Sequence, residues 1–167
     1  LLVSDVITVT DGTLTANQVG EQGSSKRVKK YVQGDETTYP NVTVTNMYVA
    51  DSAELKSGTL TVNGDLNSSN TVVVTGGNLN VNDKVTAGTT FTQSGGEVNV
   101  ASGKTITAND GINLTGGNVV LLSDSTLATI NDTADITVSG NAKINGTSKS
   151  KTGVINSARS YIQDGTG

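Results

Sequence analysis

The chain contains no cysteine, no histidine and no tryptophan, and its one proline is Pro40. Without cysteine there are no disulfides, no thiol nucleophiles and no thiolate zinc clusters. Without histidine the usual base of a nucleophilic triad is missing. Aromatic residues amount to 3 % and hydrophobic residues to 34 %. That is thin for a compact globule, but enough for a core of regular layers built from Val, Leu, Ile and Ala. Charge is also sparse: 11 basic residues stand against 15 acidic ones, for a net −4 with no long run of either sign. This balance argues against nucleic acid as a partner. No stretch approaches the ~20 apolar residues of a membrane helix, so no membrane insertion of this segment is expected. The chain starts at Leu1 with no recognisable signal peptide, and it reads as a mature product or a piece of a longer protein.

What is abundant is Gly, Ser, Thr and Asn. Such polarity favours disorder unless the apolar residues are in register. Here they are. A glycine followed by two alternating apolar residues recurs as Gly58-Thr-Leu-Thr-Val, Gly77-Asn-Leu-Asn-Val, Gly96-Glu-Val-Asn-Val and Gly117-Asn-Val-Val-Leu, with an early copy at Gly12-Thr-Leu-Thr-Ala. The four consecutive copies stand 19, 19 and 21 residues apart. A fixed period of this size marks a stacked repeat. Counting back eleven residues from Gly77, Gly96 and Gly117 gives Leu66, Val85 and Ile106; counting back five gives Val72, Phe91 and Ile112. Three before the glycine stand Val74, Gln93 and Leu114. Residues i and i+2 of a strand share a face, so the frame predicts three short strands per coil with these side chains inward. The fold expected is an all-β, right-handed β-solenoid of about 19–21 residues per coil. About seven coils at ~4.8 Å would make a rod of roughly 35 Å.

The Gly-Gly pairs at 76–77, 95–96 and 116–117 mark one corner, where the backbone needs positive φ or close approach. Asn63-Gly64, Asp83 and Ser102-Gly103 mark a second. Length differences are expected at this second corner, between the first and second strands of a coil. After Gly117 the frame continues through Ile136 and Val138 and fits if Asn141 takes the glycine's place, with a bulge bringing Ala142 and Ile144 one residue out of phase. Four segments follow from this reading: 1–17 as an N-terminal coil or strand, 18–39 as an inserted loop or hairpin, 40–145 as regular coils, and 146–167 as an irregular last coil or cap.

The repeat faces carry little chemistry. Asp65, Asp83, Glu97, Asp110 and Asp124 are dispersed about one per coil, as solvated turn residues are. Paired carboxylates for glycoside hydrolysis are not suggested, so no catalytic residues are expected and the chain reads as a non-enzyme. No calcium-solenoid nonapeptide is present, and neither a metal nor another cofactor is expected. Thr-x-Thr pairs such as Thr59/Thr61 and Thr90/Thr92 do not stack into one column, which argues against an ice-binding face. The distinctive segment is 18–39. It holds Lys26, Arg27, Lys29 and Lys30 beside Tyr31, with Tyr39 at its exit. On a displayed loop these six residues would suit contact with an acidic polymer or protein. A second candidate surface is the start of the chain, where Leu1, Val3, Ile7 and Val9 are apolar enough to dock head to tail on a neighbouring copy.

Coils such as Ser94-Gly-Gly-Glu-Val-Asn-Val and Thr115-Gly-Gly-Asn-Val-Val-Leu resemble the β-helical passenger regions of bacterial autotransporters and related surface adhesins. The resemblance covers roughly residues 40–145 and is one of repeat style. It implies secretion and display on a bacterial cell surface. The function expected is a non-catalytic, extracellular structural or adhesive element that contacts a polymer or protein of a host or neighbouring cell. The alternatives are a self-polymerising filament subunit, a phage fibre module and a polysaccharide-active β-helix.

Overall fold

The computed structural model describes residues 1, 5–23, 25–146 and 153–165. Within them are nineteen strands. In order they are β1 (Val6–Val9), β2 (Thr13–Val19), β3 (Val28–Gln33), β4 (Asn41–Leu55), β5 (Thr59–Val62), β6 (Asp65–Ser68), β7 (Thr71–Val74), β8 (Asn78–Val81), β9 (Lys84–Ala87) and β10 (Thr90–Gln93). They continue as β11 (Glu97–Val100), β12 (Thr105–Ala108), β13 (Gly111–Leu114), β14 (Asn118–Leu121), β15 (Thr126–Thr129), β16 (Asp135–Gly140), β17 (Lys143–Gly146), β18 (Val154–Asn156) and β19 (Ser160–Gly165). All their pairings are parallel, and from β5 onward each strand pairs with the third strand after it. This connectivity is an all-β parallel solenoid of about seven turns with three walls.

The first wall runs from the first half of β2 through the start of β4 to β5, β8, β11, β14 and β17. The second includes Met47–Val49 of β4, then β6, β9, β12, β15 and β18. The third includes β1, β3, the end of β4, then β7, β10, β13, β16 and β19. Each four-residue strand from β5 to β15 buries its second and fourth residues. The inward positions expected on the first and third walls are found there: Leu60, Leu79, Val98 and Val119 stack in one column, as do Val72, Phe91 and Ile112 in another.

The second wall holds more than the single inward residue the frame predicts. Its second inward column is Ser68, Ala87, Ala108 and Thr129, all buried. Small and polar side chains leave no hydrophobic signal, which hid this column. The apolar columns beside it pack tightly. The space left between Leu55, Leu60, Leu66, Val74 and Leu79 is about 10 Å³, at the limit of what a single water needs.

The corner glycines are set by backbone approach. Gly58, Gly77, Gly96 and Gly117 have φ of 74°, 71°, 69° and 79°, and a Cβ at each would collide with the backbone of the coil before it, on Pro40, Gly58, Gly77 and Gly96. Further along, Ala142 and not Asn141 takes the glycine's register: Lys143 pairs with Asn118, and its N–H donates to the Gly117 carbonyl at 2.9 Å. Ile144 then sits over Val119 in phase, and the expected bulge is absent. The spare residue is absorbed in the corner, where Gly140 takes φ 61°.

Extra length enters at more corners than the second alone. Residues 101–104 and 122–125 lengthen that corner, but 130–134 lengthen the next, between the second and third walls. The 18–39 segment is not one insertion. Val19 ends β2 in register with Met47, and β3 runs through the middle of the segment as a wall strand between β1 and β4. Among the described residues of this segment, 20–23, 25–27 and 34–39 leave the wall. The sequence frame missed β3 because two excursions in one coil displace its inward residues from their expected offsets. At the far end, β18 and β19 extend the ladders as a last coil, while 147–152 lie outside the described residues.

Candidate functional site

The two excursions bring non-repeating chemistry to one coil. The first leaves the second wall at Gly20, whose φ is 69° and whose Cα lies against the Tyr48 carbonyl. It returns at Val28, which pairs with Val49. Arg27 fastens it. Its guanidinium donates to the Val49 carbonyl at 3.1 Å, to Asn67 Oδ1 at 2.9 Å and to Ser69 Oγ at 2.9 Å, and it lies 5.9 Å from the Tyr48 ring centroid. Tyr48 is 6 % exposed beneath this cover. Burial raises its phenol pKa, the Asp65 charge adds to the rise, and Arg27 opposes it.

The six residues expected to form one basic contact patch are dispersed: Lys29, Lys30 and Tyr31 by alternation along β3, and Lys26, Arg27 and Tyr39 by their places on the two excursions. Arg27 ends the first excursion and lays its guanidinium over the second wall. Lys30 points outward from the third wall and pairs with Glu54 at 2.6 Å. Tyr31, the next residue, points inward and is fully buried, so it is removed from any contact surface. Its phenol donates to Gln33 Oε1 at 2.7 Å, and burial pushes its pKa up. Lys26 lies 3.9 Å from Glu21, and Lys29 is exposed. Replacing 21–37 by a short turn, harmless to an inserted loop, would therefore remove a wall strand.

The second excursion, 34–40, opens the corner between the third and first walls. Asp35 Oδ1 organises it, accepting from the Thr37 and Thr38 N–H groups at 2.7 and 2.8 Å and from both hydroxyls at 2.9 Å. These bonds lower the carboxyl pKa to about 2. Ser57 Oγ donates to the Thr38 carbonyl, and the Gln33 amide donates to the Pro40 carbonyl at 3.0 Å. Between these ties Tyr39 is left 71 % exposed. Asp35 and Glu36 line a groove of about 450 Å³ with Lys56 and Thr75, which follow each other at the same corner of the next two coils. Frame counting had not singled out these four residues. The Asp-x-Thr-Thr run of 35–38 was the available signal, since an aspartate followed by hydroxyl residues organises tight turns.

The N-terminal candidates are also separated. Ile7 and Val9 belong to β1, in register with Tyr31 and Gln33 of the chain's own β3. Ile7 is 9 % exposed and Val9 half-buried, while Leu1 is 53 % exposed. Val3 lies outside the described residues. Elsewhere the outer walls carry polar ladders, among them Asn99 to Asn80 and Asn80 to Thr61, each at 3.3 Å. Among the described residues no group of three His, Cys, Asp or Glu side chains is placed to hold a metal ion, and no helix is long and apolar enough to cross a membrane. No protein-family model, curated protein or solved structure matches the chain.

Proposed function

We propose that the chain is a non-catalytic, extracellular structural and adhesive β-solenoid displayed on a bacterial surface. The observation that carries this reading is that non-repeating, solvent-facing chemistry is gathered in one coil of an otherwise repetitive rod, whose 34–40 corner leaves an aromatic side chain exposed beside a polar groove. Repeating walls offer each coil similar Thr, Asn and Ser groups and discriminate poorly. A corner held by a rigid scaffold is where recognition chemistry is displayed. Segment 34–40 supplies Tyr39 as an exposed aromatic surface, with carboxylates, an ammonium and a hydroxyl in the neighbouring groove. Such a set suits a hydroxyl-rich surface polymer or a polar protein face of a host or neighbouring cell. The repeat style shared with autotransporter passengers supports the surface location.

The test is attachment. Tyr39→Ala and Glu36→Ala should each reduce binding of the purified chain to arrays of cell-surface glycans and to whole cells, with the melting midpoint unchanged. Binding at full strength in the double variant would sink the assignment of the contact to this corner.

A further inference from the structure

We propose that the groove at the 34–40 corner selects a sugar bearing a free amine, with the ammonium held by Asp35 and Glu36. The inference rests on this corner being the contact site, and it names what the corner prefers. The charge of the groove is the starting observation. Two carboxylates, Asp35 and Glu36, line it against one ammonium, Lys56, and one hydroxyl, Thr75. Among the described residues no ion pair involves Asp35, Glu36 or Lys56. The groove therefore carries a net negative charge that no neighbouring side chain cancels.

The position of that charge is fixed by the turn. Gly34 enters the excursion at φ 73°, and a Cβ there would fall on Ser57 Oγ, so the turn lies hard against the next coil. The four bonds that Thr37 and Thr38 donate to Asp35 all go to Oδ1, which leaves Oδ2 to accept from a ligand. The same bonds keep the carboxyl ionised throughout the neutral and mildly acidic range. A carboxylate held in this way binds without first being ordered.

Ligand chemistry follows from the charge. Uronate and sulfated polymers would set like charges against Asp35 and Glu36. A neutral sugar would offer hydroxyl bonds alone, whereas an ammonium forms charge-assisted bonds roughly twice as strong. Tyr39, exposed in the same excursion, adds an aromatic face that attracts a cation. The rest of the corner favours a sugar over a lysine-rich peptide. Beyond Lys56 and Thr75 it continues with exposed Ser94 and Thr115, one hydroxyl per coil, beside paired glycines that carry no side chain. A hydroxylated chain laid along this open ledge finds a partner every ~4.8 Å. A lysine side chain finds only the carboxylates.

Calorimetry on the full chain tests this, with glucosamine oligomers, their N-acetylated counterparts and lysine oligomers of equal charge. The free-amine sugar should bind about fivefold or more tightly than the acetylated one, and more tightly than the lysine oligomer. Glu36→Gln should abolish the preference for the free amine with the melting midpoint unchanged. Lys56→Gln removes a like charge and should tighten free-amine binding, where an anionic ligand would be lost. Equal binding of free and acetylated oligomers, both lost in Tyr39→Ala, would overturn the amine preference and leave the corner as the contact site. Lysine oligomers that bind as tightly as the sugar would overturn the sugar in favour of plain charge attraction. Free-amine binding unmoved by Glu36→Gln, Lys56→Gln and Tyr39→Ala alike would overturn the proposal and place the contact elsewhere. Absence of binding by all three oligomers would overturn the amino sugar alone, since attachment to glycan arrays and cells through Tyr39 is read separately.

Discussion

Gln33 and Gln93 sit in one inward column of the third wall, and their carboxamides are served unequally. Both amide groups donate to carbonyls at the following corner and on the strand above, Gln33 to Pro40 and Thr59 and Gln93 to Gly95, Gly96 and Asn118. Gln33 Oε1 also accepts from Tyr31, whereas Gln93 Oε1 is buried with no partner, because the residue two before it is Phe91. A buried acceptor without a donor costs about 1–3 kcal/mol. Tyr31→Phe should therefore destabilise the chain by about that amount in urea melts. Phe91→Tyr should restore the missing donor and stabilise by about 1 kcal/mol; a destabilised Phe91→Tyr chain would show that the column has no room for the hydroxyl. Inward and outward positions are separated by a second pair. Val81 is fully buried and Asn80 half-buried in the next position along β8. Val81→Asp should cost several kcal/mol: a buried, unpaired carboxyl is forced neutral, and even a neutral polar group buried without a partner costs roughly 2–7 kcal/mol on transfer grounds. Asn80→Asp should stay within about 0.5 kcal/mol. Side-chain alternation was legible in the sequence at this scale wherever both inward residues are aliphatic. It was not legible at Tyr31, whose burial follows from its parity within β3 and not from its neighbours in sequence.

At the scale of elements, corners decide more than strands. Gly77 combines positive φ with backbone contact to Gly58, so Gly77→Ala should cost more than about 1 kcal/mol, while Gly103, with open space around its Cα, should lose less on the same change. The 34–40 corner carries its own pH dependence. The Asp35 carboxyl titrates at about 2 in the fold, below its free value of about 3.9. Its contribution is present above the free value and fades as pH falls through the folded one. Local order at Tyr39, followed by NMR, should therefore be lost between about pH 4 and pH 2, ahead of the core strands. An unchanged Tyr39 environment over that range would mean that Asp35 does not organise the corner. The walls could be read from sequence because parallel stacking demands like residues at like offsets. The excursions could not be divided from β3, because two departures in one coil shift every later offset and leave a single apparent surplus. Asn141 and Ala142 were confused for a related reason: a corner can absorb a spare residue without changing the register of the strand that follows.

For the molecule as a whole, nearly every contact joins a coil to the next one, so stability should accumulate coil by coil. Removing residues 77–95 joins Gly76 to Gly96 and keeps every column in register. The shortened chain should fold, and its urea m-value should fall with the surface lost; a chain that cannot fold would mean the coils are not interchangeable units. Coil-by-coil stability has a mechanical counterpart. Tension applied at the first strand of a parallel solenoid loads its ladder bonds a few at a time, and coils peel in sequence at low force. Arg27 interrupts that order. Its guanidinium grips Val49 in the following coil and Asn67 and Ser69 in the one after, so it bridges three successive turns. Pulled from Leu1 in a single-molecule force experiment, the rod should yield its first turns together, in one larger event, before the regular coils come away singly. In Arg27→Ala that first event should shrink to the size of the others. The residue first read as part of a sticky patch would then be the latch that sets the load at which the rod begins to unravel.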